Sequence, residues 1–596
     1  MDEGKLAHIV SSAISKSRAG LSTHWRTIVL LAIPAMIFLL VQSVYVQLPV
    51  VGIHSWDESS YIIIEDHMLS SGDPFAFYQR FDPAGPEYND RYAYYWSAWV
   101  FLEAAQFVGF DVAGDLPTYL RVFSIALTLA SYVLIYVFVR RFLEADGDEV
   151  KKVVPLAVAA FFLFTPLVLW FGGKAKIEPF GFFLHLVLLL LILDYIRYDR
   201  SRSLYWAALL LGVMVVSRSP FLVIGGAYFL LLLIYPRLMR LKDLGICVSL
   251  SLTGLFVPVV AVQAIKPDIN AVGILINKLT IGSVSQAGST PHVETLVVRL
   301  IEFSIFSTIG IAIFIIFIAF LASRGKLSAE LALFAIPGLL YLGLTYRHNI
   351  IHMYHSYYYI IPVLLGLGVT LQYLAKHLDG LLGNLRVIRG RAKVVASHAV
   401  ILALVTILII PGLGMFVTFY GSTTDYSLKG VYLKDPGGNA DSVVAGTLIR
   451  KVSESIDLPY GYNLFPEPVT GLYSHEPFIG YGFFYKWNYT LKAYDRSYDY
   501  FRDPAGFVSA LRNESMVFIV AFPGVFDYDK GRPFGLYLES EYVSLGGVGG
   551  YHVYVNKSLD VAAIKVAWSE AKSNLTPEET KLPATLLASR YGIRNN

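Results

Sequence analysis

Long apolar runs, separated by short polar and basic stretches, dominate the first 420 residues. A helix needs about 20 apolar residues to cross the hydrocarbon core of a bilayer. Eleven runs meet this pattern, near 27–48, 119–142, 152–171, 179–197, 203–217, 219–236, 244–264, 297–322, 328–345, 354–374 and 396–420. The two flanking Arg218 are the shortest. The first run is too long for a signal-peptide core and no small-residue cleavage site follows it, so the pattern predicts a retained helix.

The basic residues give these runs a direction. With Lys5, Lys16, Arg18 and Arg26 on the cytoplasmic side, every second loop should be rich in Lys and Arg. Five loops obey: Arg140 to Lys152, Arg197 to Arg202, Arg237 to Lys242, Arg324 with Lys326, and Lys376 to Lys393. Eleven crossings then place everything after about 420 outside. The tail carries Asn-x-Ser/Thr sequons at Asn488, Asn513, Asn556 and Asn574, and no asparagine before it stands in one. Such sequons are used on the extracytoplasmic side, which agrees.

Two segments break the apolar pattern. Residues 49–118 form a long first external loop, mixed, aromatic and acidic, and its half-length apolar stretch Tyr95–Val108 suits an interfacial helix. From 421 to 596 the charge density rises. There Ser442–Ile456 and Val561–Ala571 read as helices. Met516–Ala521 and Tyr551–Val555 read as strands, the second preceded by Gly546-Gly547-Val548-Gly549-Gly550. The predicted fold is a polytopic α-helical membrane protein, with a transmembrane catalytic region over 1–420 and a small extracytoplasmic mixed α/β domain over 421–596.

Composition agrees. Of 596 residues 55% are hydrophobic and only 16% charged, with a mean hydropathy of +0.55. Soluble domains carry nearer a quarter charged residues, so lipid is the expected solvent. The net charge of +3 gives no reason to expect nucleic acid, and the single Cys247 excludes a disulfide framework or a cysteine metal site.

Ionisable residues beside membrane spans are costly and mark functional sites. Four groups fall on the outer side of this topology. Asp57 and Glu58, in Trp56-Asp57-Glu58-Ser59-Ser60-Tyr61, offer a base, a metal ligand or the start of an interfacial helix. Lys174 and Lys176 precede Glu178 in a short turn; the pair suits an anionic phosphate, or an ordinary solvated turn. Arg347, His348, His352 and His355 precede the tenth span, and the four- and three-residue histidine spacing puts all three on one helix face. No glutamate follows in the zinc-protease pattern, so phosphate or acceptor binding ranks above zinc. Arg218, in Ser217-Arg218-Ser219-Pro220, either caps carbonyls or meets a phosphate. Acidic and basic groups gathered on one face, open to lipid, suit a substrate with a charged head and a greasy tail.

Several of these segments resemble the GT-C glycosyltransferases, in particular the group of protein O-mannosyltransferases and lipid A aminoarabinose transferases. The resemblance covers about residues 27–374. Trp56–Tyr61 looks like that family's acidic element in the first external loop. Leu120-Arg121-Val122-Phe123-Ser124 looks like the arginine-led start of its second helix, and Lys176–Phe183 is similar to its second acidic element. Ser217–Pro220 matches its basic-x-Pro turn, and Tyr354–Tyr358 followed by Pro362 resembles its late aromatic helix. Two departures stand out: Glu178 replaces the usual aspartate, and Asn89–Tyr95 lacks the prolines of a Lys-Pro-Pro element, leaving Arg91 in place of its lysine.

The resemblance implies a lipid-phosphate sugar donor and chemistry outside the membrane, with the catalytic acid mapping to Asp57. The expected function is transfer of a sugar from a polyprenyl-phosphate donor to a protein, lipid or glycan acceptor at the outer face of a plasma membrane. Asp57 would act as base and Glu178 would orient the acceptor or share a divalent cation with it. Glu58, Arg91, Lys174, Lys176, Arg218, Arg347 and the three histidines would bind substrate. An oligosaccharyltransferase or glycan ligase is the enzyme alternative, but the tail lacks a Trp-Trp-Asp element. A lipid or solute transporter would instead predict ionisable groups inside the spans and half-chain repeats, which the sequence does not display.

Overall fold

The computed structural model describes residues 25, 28–43, 46, 55–75, 91–144, 149–218, 220–234, 239–267, 270–277, 315–316, 318–321, 323, 326–344, 357, 360–384, 391–421, 440–458, 463–465, 468–474, 478–480, 487–488, 493–494, 504–514, 516–521 and 532–576. Among the described residues of the first 421 positions helices dominate, because an apolar run leaves its backbone no partner except its own carbonyls. In chain order they are α1 (Ile28–Ser43), α2 (Ser55–Ser71), α3 (Tyr92–Phe107), α4 (Leu116–Phe142), α5 (Glu149–Leu163), α6 (Pro166–Phe171), α7 (Ile177–Tyr198), α8 (Ser201–Ser217), α9 (Pro220–Ile234), α10 (Leu241–Ile265), α11 (Ala271–Asn277), α12 (Lys326–Leu344), α13 (Ile360–Asn384) and α14 (Arg391–Gly421).

Among the described residues four helices are long and apolar enough to cross a bilayer: Ala113–Phe142, Ile177–Tyr198, Lys242–Ile265 and Ile360–Leu378. Shorter apolar helices occupy six more of the eleven predicted runs, and the run 297–322 lies mostly outside the described residues. The chain is therefore a helical membrane protein. The interfacial stretch read at Tyr95–Val108 is α3, which buries Tyr92, Tyr94, Tyr95, Ala98 and Leu102 on one face.

The boundaries follow local chemistry. Proline in the first turn of α4 costs no hydrogen bond, and Arg140 and Arg141 sit in its last turn, where cations meet the negative end of the helix dipole. Glu178 opens α7 and Arg197 closes it in the same sense. At Asp199 the backbone turns left-handed (φ 51°), which stops α7 and lets α8 return against it after two residues. α8 and α10 approach backbone to backbone: a Cβ on Gly212 would lie 2.1 Å from the Ser251 carbonyl, and one on Gly254 2.3 Å from that of Leu209. The Ser251 hydroxyl donates to the Ala208 carbonyl at 2.9 Å across the same contact. Small residues take this role because membrane helices associate by close packing and hydrogen bonds.

After α14 come α15 (Ala440–Ser455), β1 (Asn463–Phe465), α16 (Pro468–Ser474), β2 (Phe478–Gly480), β3 (Trp487–Asn488), β4 (Ala493–Tyr494), α17 (Pro504–Glu514), β5 (Phe518–Ala521), α18 (Pro533–Glu541), β6 (Tyr542–Val548), β7 (Tyr551–Asn556) and α19 (Val561–Ser573). Five strands form one sheet in the order β2-β1-β5-β7-β6. β1 is parallel to β2 and β5, and β7 is antiparallel to β5 and β6. Every residue of β5 is buried, as a central strand covered on both faces requires. The predicted helices and strands of the tail correspond to α15, α19, β5 and β7. β3 and β4 pair separately.

Two ends of the helical bundle are distinct. At one, the Arg197 guanidinium reaches the Phe142 carbonyl (2.9 Å), Glu330 of α12 (2.6 Å) and Glu144. At the other, Tyr61, Tyr94, Phe123 and Phe180 share a continuous apolar cluster with Val444, Leu448, Phe465 and Tyr473. The tail packs on α2 through α16, within an apolar cluster that also takes in residues of α3, α4 and α7, while the other face of its sheet closes over Phe507, Leu511, Phe534 and Tyr537.

Candidate active site

Three chain segments far apart in sequence are fastened together by Glu58. Its carboxylate accepts from Arg121 Nε (2.8 Å) and Nη2 (3.1 Å), a forked geometry that matches guanidinium to carboxylate. It also accepts from the Ala175 backbone N–H at 3.0 Å. Arg121 Nη1 meanwhile donates to the Val46 carbonyl at 3.0 Å. Glu58 is fully buried and Arg121 nearly so. Burial pushes the Glu58 carboxyl up, but Arg121, the Lys174 charge and the Ala175 N–H outweigh it and hold the group below its ordinary range. Both oxygens are thereby engaged by protein, and the clamp fixes the backbone on either side: Asp57 in the first helical turn of α2 and the loop leading to Glu178.

That loop is tightly held elsewhere. Gln42 Nε2 donates to the Leu169 carbonyl (3.0 Å), and Thr128 Oγ1 to that of Gly172 (3.0 Å). A Cβ on Gly173 would fall 2.0 Å from Gln42 Oε1, so a larger residue there would have to displace the Gln42 amide. Lys174 at its tip is half-buried. Lys176 is fully buried, its ammonium 5.2 Å from the centre of the Phe171 ring.

Glu178, 1% exposed in the first turn of α7, receives Arg218 Nη2 on Oε1 at 2.5 Å. Arg218 ends α8, where its own N–H satisfies the Met214 carbonyl at 2.8 Å. Glu178 Oε2 is buried without a hydrogen-bond partner. The hydroxyls of Tyr94 and Tyr357 lie within electrostatic reach of Glu178, and both are buried without a partner. Tyr94 is wedged among rings, 5.1 Å from Tyr61, 6.0 Å from Phe180 and 6.3 Å from Phe123. Arg91 caps the start of α3 and lays its guanidinium over the Tyr61 ring at 5.4 Å.

The first, second and fourth sequence groups therefore converge at one end of the bundle, through Glu58, Lys174, Lys176, Glu178, Arg218 and Arg91. The side chain of Asp57 lies outside the described residues, as do Arg347, His348, His352 and His355. Among the described residues no three His, Cys, Asp or Glu side chains gather as metal ligands would. Sequence reasoning treated Arg121 only as the start of a helix, whereas it completes the Glu58 clamp. It also passed over Glu65 and Asp66 of α2, which are 0% and 4% exposed. Burial drives the Glu65 carboxyl well above its usual range and Asp66 up to about 7. The available signal was their position between Ile62-Ile63-Ile64 and Met68-Leu69, an apolar setting unusual for adjacent carboxylates. The expectation of no ionisable group within a span is corrected too: His185 is buried in α7, with Nε2 3.1 Å from the Tyr228 hydroxyl of α9.

No protein-family model and no curated protein matches the chain. Among solved structures it is similar to ArnT from Cupriavidus metallidurans bound to undecaprenyl phosphate, at 13% identity and a TM-score of 0.50, covering 89% of this chain and 98% of that one. The apo oligosaccharyltransferase of Archaeoglobus fulgidus aligns over 92% of this chain and 78% of its own, at 13% identity and a TM-score of 0.49. The chain has the GT-C fold.

Proposed function

We propose that this protein is a membrane glycosyltransferase that moves a sugar from a polyprenyl-phosphate donor to an acceptor at the bundle end covered by the tail, on the extracytoplasmic face. The observation that carries the reading is the buried meeting of Glu178 with Arg218 beside Lys174 and Lys176, at the mouth of a GT-C bundle. ArnT, of the same fold, is described with undecaprenyl phosphate bound. A lipid phosphate leaving group develops negative charge, and fixed cations in a water-poor site are the means of stabilising it. Arg218 and the two lysines supply that charge.

In this reading Asp57 takes the proton of the acceptor hydroxyl as it attacks the anomeric carbon, and the carrier leaves as its phosphate. Glu58 is a positioning residue: clamped by Arg121 and Ala175, it sets the backbone next to Asp57 and the approach to Glu178. Glu178 turns one oxygen to Arg218 and leaves the other, Oε2, for substrate. Arg91 is a further substrate-binding residue, as Arg347, His348, His352 and His355 are in the sequence reading. The division at residue 420 and the outward-facing tail belong to the same proposal. The test is sugar transfer by purified wild type and Asp57→Asn in proteoliposomes, given a panel of polyprenyl-phosphate sugars. Removal of a general base should slow transfer by about 10²–10⁴-fold. Wild-type rates from the folded variant would remove Asp57 from the chemistry.

A further inference from the structure

Glu58, Tyr61 and Glu65 follow one another at three- and four-residue steps, on one face of α2. Glu58 has every partner it can use. Glu65, two turns on, has none: both oxygens are buried and neither meets a donor. Across from it the Tyr94 hydroxyl is also buried and unpartnered, held within electrostatic reach of both Glu65 and Glu178 by the packing of its ring against Tyr61 and Phe180. The third such group is Glu178, whose Oε2 is unpartnered while Arg218 grips its other oxygen. Native interiors rarely leave even one polar group in this condition, since a buried donor or acceptor without a partner is destabilising. Three around one aromatic ring form an array awaiting hydrogen-bonding partners.

The chemistry of the array limits what it takes. The Glu178 carboxylate and the lack, among the described residues, of a cation facing Glu65 make the array a poor seat for a phosphate. A carboxyl and a phenol can each both give and accept hydrogen bonds, which suits a neutral ring bearing several hydroxyls. The array also adjoins Arg218, the cation assigned above to the carrier phosphate, and a donor sugar is bonded directly to that phosphate. We propose that Glu65, the Tyr94 hydroxyl and Glu178 Oε2 form the subsite that holds the sugar ring of the donor, an assignment that rests on the glycosyltransferase reading and names where its sugar lies. Glu65 and Tyr94 are then specificity residues and Asp57 remains the base.

The test uses the full chain in nanodiscs. Binding of undecaprenyl phosphate is compared with binding of its glucose, mannose, galactose and arabinose phosphodiesters, for wild type, Glu65→Met, Glu65→Gln and Tyr94→Phe. The expected result has three parts. Wild type binds at least one sugar-bearing lipid more tightly than the bare carrier. Glu65→Met and Tyr94→Phe weaken that lipid by about tenfold, the scale of one or two lost hydrogen bonds, without changing the bare carrier. Glu65→Met also raises the Tm, because an apolar side chain of similar length relieves an unpaired buried carboxyl. Glu65→Gln, which keeps the hydrogen-bonding capacity and guards against misfolding of the Met variant, retains at least part of the sugar preference. Equal effects on bare and sugar-bearing lipid, or no sugar preference in wild type, would overturn the subsite. So would Mn²⁺ stabilising wild type but not Glu65→Gln, which would make the array a cation site. Failure of wild type to bind any polyprenyl phosphate would instead overturn the glycosyltransferase reading beneath it.

Discussion

Breaking the clamp between α2 and α4 tests the architecture of the site most directly. In Arg121→Met, the Glu58 carboxylate stays buried with the Ala175 N–H alone of its three hydrogen bonds. In Glu58→Gln, the guanidinium loses its counter-charge while remaining about 95% shielded from solvent. Removing one partner of a buried pair leaves an uncompensated charge and costs about 3–5 kcal/mol. Each single variant should therefore lose about 3 kcal/mol of stability. The double variant removes both charges and should lose about 3 kcal/mol as well, well short of the additive sum, leaving a coupling of about 3 kcal/mol at the upper end for contacting residues. Unfolding in mixed detergent–SDS micelles at pH 7 measures all four corners of the cycle. The clamp also has a pH signature. Its carboxyl is depressed in the fold, so its contribution is fully present above the unfolded value of about 4.5 and is lost as pH falls through the lower, folded value. The Glu58→Gln variant should lose that acid sensitivity. Additivity within about 0.5 kcal/mol would show that the forked contact holds nothing together, and the proposed positioning of Asp57 would fall with it.

Three further outcomes are expected. Asp66 has the opposite linkage: its folded carboxyl titrates at about 7 against about 3.8, so stability should decline as pH rises between those values and level off above. Asp66→Asn should flatten that slope in Tm-versus-pH scans and be the more stable protein at pH 8, and an unchanged slope would reject the account. Gly212→Leu should separate α8 from α10 by driving a side chain into the Ser251 backbone, costing about 3 kcal/mol or more from overpacking; detergent-extracted protein should aggregate on size exclusion, whereas Gly226→Ala, where a Cβ meets nothing within 4 Å, should behave as wild type. In a host that glycosylates sequons, exposed Asn574 should acquire a glycan that Asn574→Gln abolishes, while Asn556 should stay bare because its amide binds the Met516 carbonyl (3.1 Å) and the Ser558 N–H (2.9 Å). Absence of any glycan shift would count against an outward-facing tail.

The apolar runs alone determined that this is a helical membrane protein. Length and hydropathy are properties of consecutive residues, and a bilayer leaves a backbone few ways to satisfy itself. The Gly-rich turn before β7 and the amphipathic helices of the tail were legible for the same reason. Segments such as Trp56–Tyr61 and Lys176–Phe183 also marked charged residues that the fold draws into buried contacts. Tertiary structure decided the roles. Asp57 and Glu58 are equivalent as letters, yet Arg121 lies 63 positions away and Ala175 117, and only the fold brings both to Glu58. Glu65 reads as an ordinary polar residue of an interfacial helix until α3 and the entrance of α7 close over it. Burial depends on residues distant in the chain, and so does the difference between a carboxylate that fastens the structure and a carboxyl buried without a hydrogen-bond partner.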